Sequence, residues 1–157
     1  MIDVLSESVP TLPVVPHPPL NPWRRFAKLV HIELRWHHPE DDESLGLTDY
    51  DAGTISLRTD LDQAQRRSTI LHELLHVERG PAADVPVLVA REELRVGREA
   101  ARLLLPDICK VGDALAWAQN YTEAADELWV DLDTLLDRLD SLHPVELHYL
   151  RRRLADQ

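Results

Sequence analysis

Cysteine occurs once in the chain, at Cys109, so no disulfide can form within it, and a reducing cytoplasm is the expected compartment. Nothing near that thiol marks an activating base, and it reads as a small apolar residue. Positive charge is scarce. Only 17 Lys and Arg face 28 Asp and Glu, for a formal net charge of −11. A surface of that sign repels phosphate backbones, so direct nucleic acid binding is not expected, whereas a partner with a basic face is favoured. No apolar run approaches the roughly 20 residues of a membrane span, and the N-terminus lacks the pattern of a signal peptide. With a mean hydropathy of −0.28, the composition is that of a soluble globular chain without membrane association.

Proline is abundant but uneven. Six of the 11 prolines (Pro10, Pro13, Pro16, Pro18, Pro19 and Pro22) fall in the first 22 residues, a density that forbids helix or central strand. Residues 1–21 therefore read as an extended or disordered tail, and 22–157 as one domain. That domain divides into a core over 22–105 and a helical part over 106–157.

The chemistry-bearing run is His72-Glu73-Leu74-Leu75-His76. On a helix, residues four apart sit about 40° apart around the axis and one turn apart along it, so both imidazoles reach one metal ion. Glu73 falls beside them, where a carboxylate can take a proton from metal-activated water. Such an arrangement implies a zinc-dependent hydrolase with His72 and His76 as ligands and Glu73 as general base. The run is short, so its flanks must agree. Thr59-Asp60-Leu61-Asp62 reads as a helix start, with a hydroxyl to cap and acids for the first turn, and Gly80-Pro81 reads as the stop. On the wheel, His72, His76, Thr69 and Glu73 lie within about 100° on one side. Ile70, Leu71, Leu74, Leu75 and Val77 fill the rest. The predicted picture is a mostly buried half-helix with one polar strip facing a cleft.

Catalytic zinc sites take a third protein ligand and leave the fourth position open. The next helical stretch, from about Pro86 to Leu105, places Val89, Val96, Gly97, Ala100 and Leu104 within about 60° of Glu93. Arg91, Arg95, Arg98 and Arg102 form a solvated stripe opposite. A carboxylate centred on an apolar face is costly unless paired, and a buried metal is its natural partner. Glu92 and Glu99 lie about 100–120° away on the flank and are weaker candidates.

These residues resemble the ImmA/IrrE-type metallopeptidases, found beside repressors in bacteria and mobile elements. The resemblance rests on Thr69-Ile-Leu-His-Glu-Leu-Leu-His-Val77 and on Glu93-Leu-Arg-Val-Gly-Arg-Glu-Ala100-Ala-Arg-Leu-Leu-Leu-Pro106. A weaker match runs from Ala124 through Leu139, and the whole spans roughly residues 31–142. It implies an α+β, zincin-like core: a small antiparallel or mixed sheet packed on the motif helix, followed by a helical C-terminal part. It also implies one Zn²⁺ per chain held by His72, His76 and Glu93, and cleavage of a basic helix-turn-helix repressor to relieve repression. The chain departs from the family where alanine and aspartate follow the third ligand at three and four residues. Val96 and Gly97 stand there. That aspartate orients a ligating histidine, so its role passes to another group or is missing.

Elsewhere a short helix is expected from Pro22 to about Val30, and a strand over His31–Trp36 with Ile32, Leu34 and Trp36 inward. Leu45–Tyr50 and Thr54–Arg58 read as two strands joined at Asp51-Ala52-Gly53. After Pro106, helices are expected over Val111–Gln119, Glu123–Trp129, Leu132–Leu142 (capped by Asp131) and Pro144–Leu154. The acidic balance of residues 122–142 argues against a DNA-reading helix-turn-helix. No second electrophile is named by the sequence. His31, His37, His38 and Tyr50 have suitable chemistry, but the adjacent pair His37-His38, like His143 and His148, lacks ligand spacing. A rival of another class keeps the fold and drops the chemistry: a zinc-stabilised protein that sequesters a repressor or other partner.

Overall fold

The computed structural model describes residues 20–155, so nearly all of the Pro-rich segment lies outside the described residues. The elements run α1 (Pro22–Phe26), β1 (Glu33–His37), β2 (Gly46–Asp49), β3 (Thr54–Arg58), α2 (Gln63–Arg79), α3 (Pro86–Leu104), α4 (Ile108–Trp117), α5 (Tyr121–Glu127), α6 (Leu132–Asp140) and α7 (Pro144–Ala155). This is a mixed α+β arrangement with one small three-stranded sheet among the described residues.

The strand order is β1-β3-β2, with β1 parallel and β2 antiparallel to the central β3. The β2–β3 connection closes as predicted. Gly53 takes φ 64°, and the Asp49 carboxylate accepts the Ala52 amide. One expectation fails at β1. The strand begins at Glu33, because the Ile32 amide is taken by a turn bond to the Leu29 carbonyl, and Trp36 is 47% exposed instead of inward. Its ring lies 5.1 Å under the Arg66 guanidinium, a cation–π contact that suits an indole at a sheet edge.

Helix α2 starts later than Thr59. Asp62 is the cap: its side chain accepts the Gln65 amide while the Gln65 side chain accepts the Asp62 amide. Gly80 at φ 79° ends it, as the sequence requires. This helix is the shared wall of two apolar clusters. Ile70 and Leu74 pack with Ile55 and Leu57 of the sheet. Leu71 and Leu75, one residue on in each case, pack with Val96, Ala100 and Leu104 of α3 and with the C-terminal helices. Neighbours in sequence point about 100° apart on a helix, so the two aliphatic pairs face different layers. His72, Glu73 and His76 are left to a third direction.

The C-terminal helices follow the expected order, and Asp131 caps α6 through the Thr134 amide. The start of α6 is tied to α2, since Ser68 Oγ accepts the Asp131 amide at 3.2 Å and Arg67 donates to the Trp129 carbonyl at 2.8 Å. Arg102 does not share the solvated stripe expected of it. It is partly covered and donates to the Ser141 carbonyl. Arg138 is 1% exposed, donating to the Leu105 carbonyl at 2.9 Å and in fork geometry to Glu146 at 3.1 and 2.5 Å.

Candidate metal centre

Helix α2 carries His72 and His76 one turn apart, and α3 brings Glu93 across from them. Glu93 Oε2 lies 3.1 Å from His72 Nε2, and Glu93 Oε1 lies 3.2 Å from His76 Nε2. The two Nε2 atoms are themselves 3.1 Å apart. A tetrahedral site with metal–ligand bonds of 2.0–2.1 Å has ligand-to-ligand edges of about 3.3 Å. The two imidazole nitrogens and the Glu93 carboxylate, which meets each histidine with a different oxygen, are therefore spaced as neighbouring ligands of one ion would be. Two imidazole nitrogens and one carboxylate suit a first-row divalent ion better than magnesium or calcium, which prefer all-oxygen shells. His72, His76 and Glu93 could thus hold a metal ion.

The position of Glu93 corrects one expectation. The carboxylate converges on the histidines as the wheel requires, yet its side chain is 52% exposed and not sequestered in an apolar face. Val96, Gly97, Ala100 and Leu104 are buried, but Val89, one turn before Glu93, is exposed. The burial stops where the cleft opens. Glu92 and Glu99 stand outside the converging group. Both pair with Arg79 at the end of α2, Glu99 at 3.2 Å.

Glu73 is buried, and its position rests on β2. Thr48 Oγ donates to Glu73 Oε2 at 2.7 Å. Gly46, on the same face of the strand, lets the helix approach. A Cβ there would sit 2.6 Å from Thr69 Cγ2 and 2.8 Å from Glu73 Oε1. Burial pushes the Glu73 carboxyl above the usual carboxylate range, and the Thr48 hydrogen bond and the two histidines offset this only in part. A base with a raised pKa, held in one rotamer beside two imidazoles, is suited to accept a proton and give it back.

The cleft around these groups has a volume of about 760 Å³. One side is Ser44–Thr48 with Tyr50, the floor is α2, and the far side is α3 with Asp131, Asp133 and Asp137 of α6 and its cap. No Lys or Arg among the described residues lines it, so its carboxylates create a field that suits a cation. Among the four residues of electrophilic character, only Tyr50 lines the cleft, and its hydroxyl donates toward the His76 and Gly80 carbonyls at 3.1 and 3.3 Å. His37 is committed elsewhere, with Nδ1 on Ser56 Oγ at 2.8 Å and Nε2 on the Ser44 carbonyl at 2.9 Å. His38 lies 3.4 Å from the Thr59 hydroxyl, and His31 is exposed outside the cleft.

No family model, curated protein or solved structure matches the chain. The site therefore has to be read from its own geometry.

Gly46, Thr48 and Asp137 were not singled out from the sequence. Gly46 and Thr48 carried a usable signal, because they alternate with Leu45 and Leu47 and so form the small, polar face of a strand next to the motif helix. Asp137 carried none of its own.

Proposed function

We propose that this chain is a zinc-dependent endopeptidase with a zincin-like core. The observation that carries the reading is the convergence of His72 Nε2, His76 Nε2 and Glu93 on one point, with Glu73 held one residue away on the same helix. Zn²⁺ at that point would supply Lewis acidity, making water a nucleophile near neutral pH and polarising an amide carbonyl. Glu73 takes the proton from the attacking water and returns it to the leaving amine. Thr48 keeps one carboxylate oxygen occupied, so proton traffic falls to the other.

The substrate segment lies extended along β2. In the β2–β3 register the Arg58 amide donates to the Leu45 carbonyl, so the bonded pairs are Leu45–Arg58, Leu47–Ser56 and Asp49–Thr54. The backbone groups of Gly46 and Thr48 then turn away from β3 toward the open edge beside the cleft, where a peptide can add as a strand. The ImmA/IrrE resemblance supports a helix-turn-helix repressor as the natural substrate, and the net charge of −11 supports a basic one. The same composition supports a cytoplasmic protein that does not itself bind DNA.

A proteome-derived peptide library incubated with the zinc-loaded protein tests the reading. Wild type should generate new termini that Glu73→Gln does not, with equal zinc in both. Equal cleavage by both would refute the role of Glu73. No cleavage by either, with zinc bound, would leave a zinc-stabilised binding protein as the better account.

A further inference from the structure

Glu93 stands on a stretch of α3 that the apolar core does not hold. Every residue from 81 to 95 is exposed except Glu92, and the buried residues of the helix begin only at Val96. Its start is also unsupported, since Val85 offers the first turn no side-chain cap. Apolar burial therefore fixes the second half of α3 but not the half that carries the carboxylate. What grips that half is Arg79, three residues after His76 at the end of α2. Its Nε donates to Glu92 Oε1, its Nη2 to Glu92 Oε2 at 3.2 Å and its Nη1 to Glu99 Oε2 at 3.2 Å. One guanidinium thus spans two turns of α3 and closes a fork on the residue next to Glu93. Apart from the meeting of Glu93 with the histidines, no other side-chain hydrogen bond or ion pair joins α2 to α3 among the described residues.

We propose that Arg79 is the positioning residue for Glu93, a latch that holds the exposed half of α3 against α2 so that the carboxylate meets the two imidazoles before any ion arrives. The inference rests on the metal-site reading above. An isolated exposed ion pair contributes little, but a fork that is shared between two acceptors is the kind that does contribute. Its effect here is preorganisation. Without the latch, the ion itself has to order residues 86–94, which lowers its apparent affinity by the fraction of chains not already in place. The direction of the effect separates this role from simple electrostatics. A cation near the site repels Zn²⁺, so losing the charge of Arg79 by field alone strengthens binding, whereas losing the latch weakens it.

Competition of the full chain against a chromophoric chelator for Zn²⁺ tests this without a substrate. Arg79→Met, which keeps the stem and removes the guanidinium, should weaken zinc binding by about three- to tenfold. Arg25→Met removes a neighbouring charge that pairs with Glu78 of α2 and makes no bond to α3, and should change affinity by less than about twofold. Arg79→Lys keeps the charge but not the fork and should fall between wild type and Arg79→Met. Hydrogen exchange on the metal-free chains reads the latch directly. Amides of residues 86–94 should exchange faster in Arg79→Met than in wild type, with those of α6 unchanged. Should Arg79→Met not fold, Glu92→Gln opens the latch from α3, and exchange over the same amides decides, because that variant also removes a charge that attracts the ion. Zinc held as tightly or more tightly by Arg79→Met, an equal loss on Arg25→Met, or unchanged exchange over residues 86–94 overturns the proposal while leaving the metal site standing. Failure of wild type to bind zinc at all overturns the metal site, and the proposal with it.

Discussion

Thr48 Oγ donates to Glu73 Oε2 at 2.7 Å, joining an edge strand to the carboxylate between the two histidines. The contact spans 25 residues of sequence and ties the sheet to the chemistry. Replacing Thr48 with Val removes the hydroxyl while keeping the shape, leaving a buried carboxylate oxygen without its donor. A hydrogen bond to a charged group is worth about 1.5–3 kcal/mol, so kcat on any peptide the protein cleaves should fall roughly 10–100-fold. KM and zinc content should stay near wild type, and Thr48→Ser should restore most of the loss. A Val variant with wild-type kcat would show that the bond does not position the base.

Gly46→Ala tests the close approach of β2 to α2. The added Cβ meets Thr69 Cγ2 and Glu73 Oε1 inside ordinary contact distance, and neither neighbour is the loose end of an exposed chain. Overpacking of this kind costs about 1–3 kcal/mol. The urea midpoint of the metal-free protein should fall accordingly, with helix content unchanged by circular dichroism. An unchanged midpoint would mean that α2 shifts without cost.

The motif helix and its neighbours were legible because their signals are local. The run from His72 to His76 fixes its own face, Gly80-Pro81 ends the helix, and the wheel through Glu93 predicts the convergence that the structure shows. What stayed hidden depends on contacts distant in sequence. Trp36 alternates with Leu34 as an inward residue would, but no layer of described residues covers that corner of β1. Glu93 lies on the face the wheel assigns it, yet nothing in the sequence shows that the cleft opens beside Val89. Asp137 is 40 residues from Gly97, and a lone mid-helix glycine signals a close approach without naming what approaches. Asp62 displaced Thr59 as the cap because a capping box needs the Gln65 partner three residues on.

Asp62→Ala offers a control that separates stability from metal binding. Losing the capping box should cost about 1 kcal/mol. Asp62 lies well before His72 on α2, so zinc affinity should remain within about twofold of wild type by chelator competition, given how quickly end effects decay along a helix. A large drop in affinity would show that the site depends on the whole helix.

The pair of buried Arg138 and half-buried Glu146 gives a pH dependence away from the site. Burial alone raises the Glu146 carboxyl, but hydrogen bonds from Arg138 and the His143 amide, with the charges of Arg138 and Arg102, outweigh it and leave it below the usual range. A carboxyl lowered on folding stabilises the protein above its unfolded pKa, and that contribution disappears as pH falls through the folded value. Wild type should therefore exceed Glu146→Gln in urea stability at pH 7, and the gap should close as the medium is acidified below the usual carboxylate range. Arg138→Met with Glu146 kept should cost about 1–3 kcal/mol, because the Leu105 carbonyl and the Glu146 carboxylate lose the Arg138 donors while Glu146 keeps the His143 amide and Arg102. A gap between wild type and Glu146→Gln that widens on acidification would contradict the assignment.

Elemental analysis after equilibrium dialysis against Zn²⁺ bears most directly on the convergence of two imidazoles and one carboxylate. The account predicts one zinc per wild-type chain at low micromolar free metal, with much weaker retention by His72→Ala, His76→Ala and Glu93→Ala and full retention by Glu73→Gln. A wild-type chain that takes up no zinc, or a Glu93→Ala chain that holds it as tightly as wild type, would contradict it.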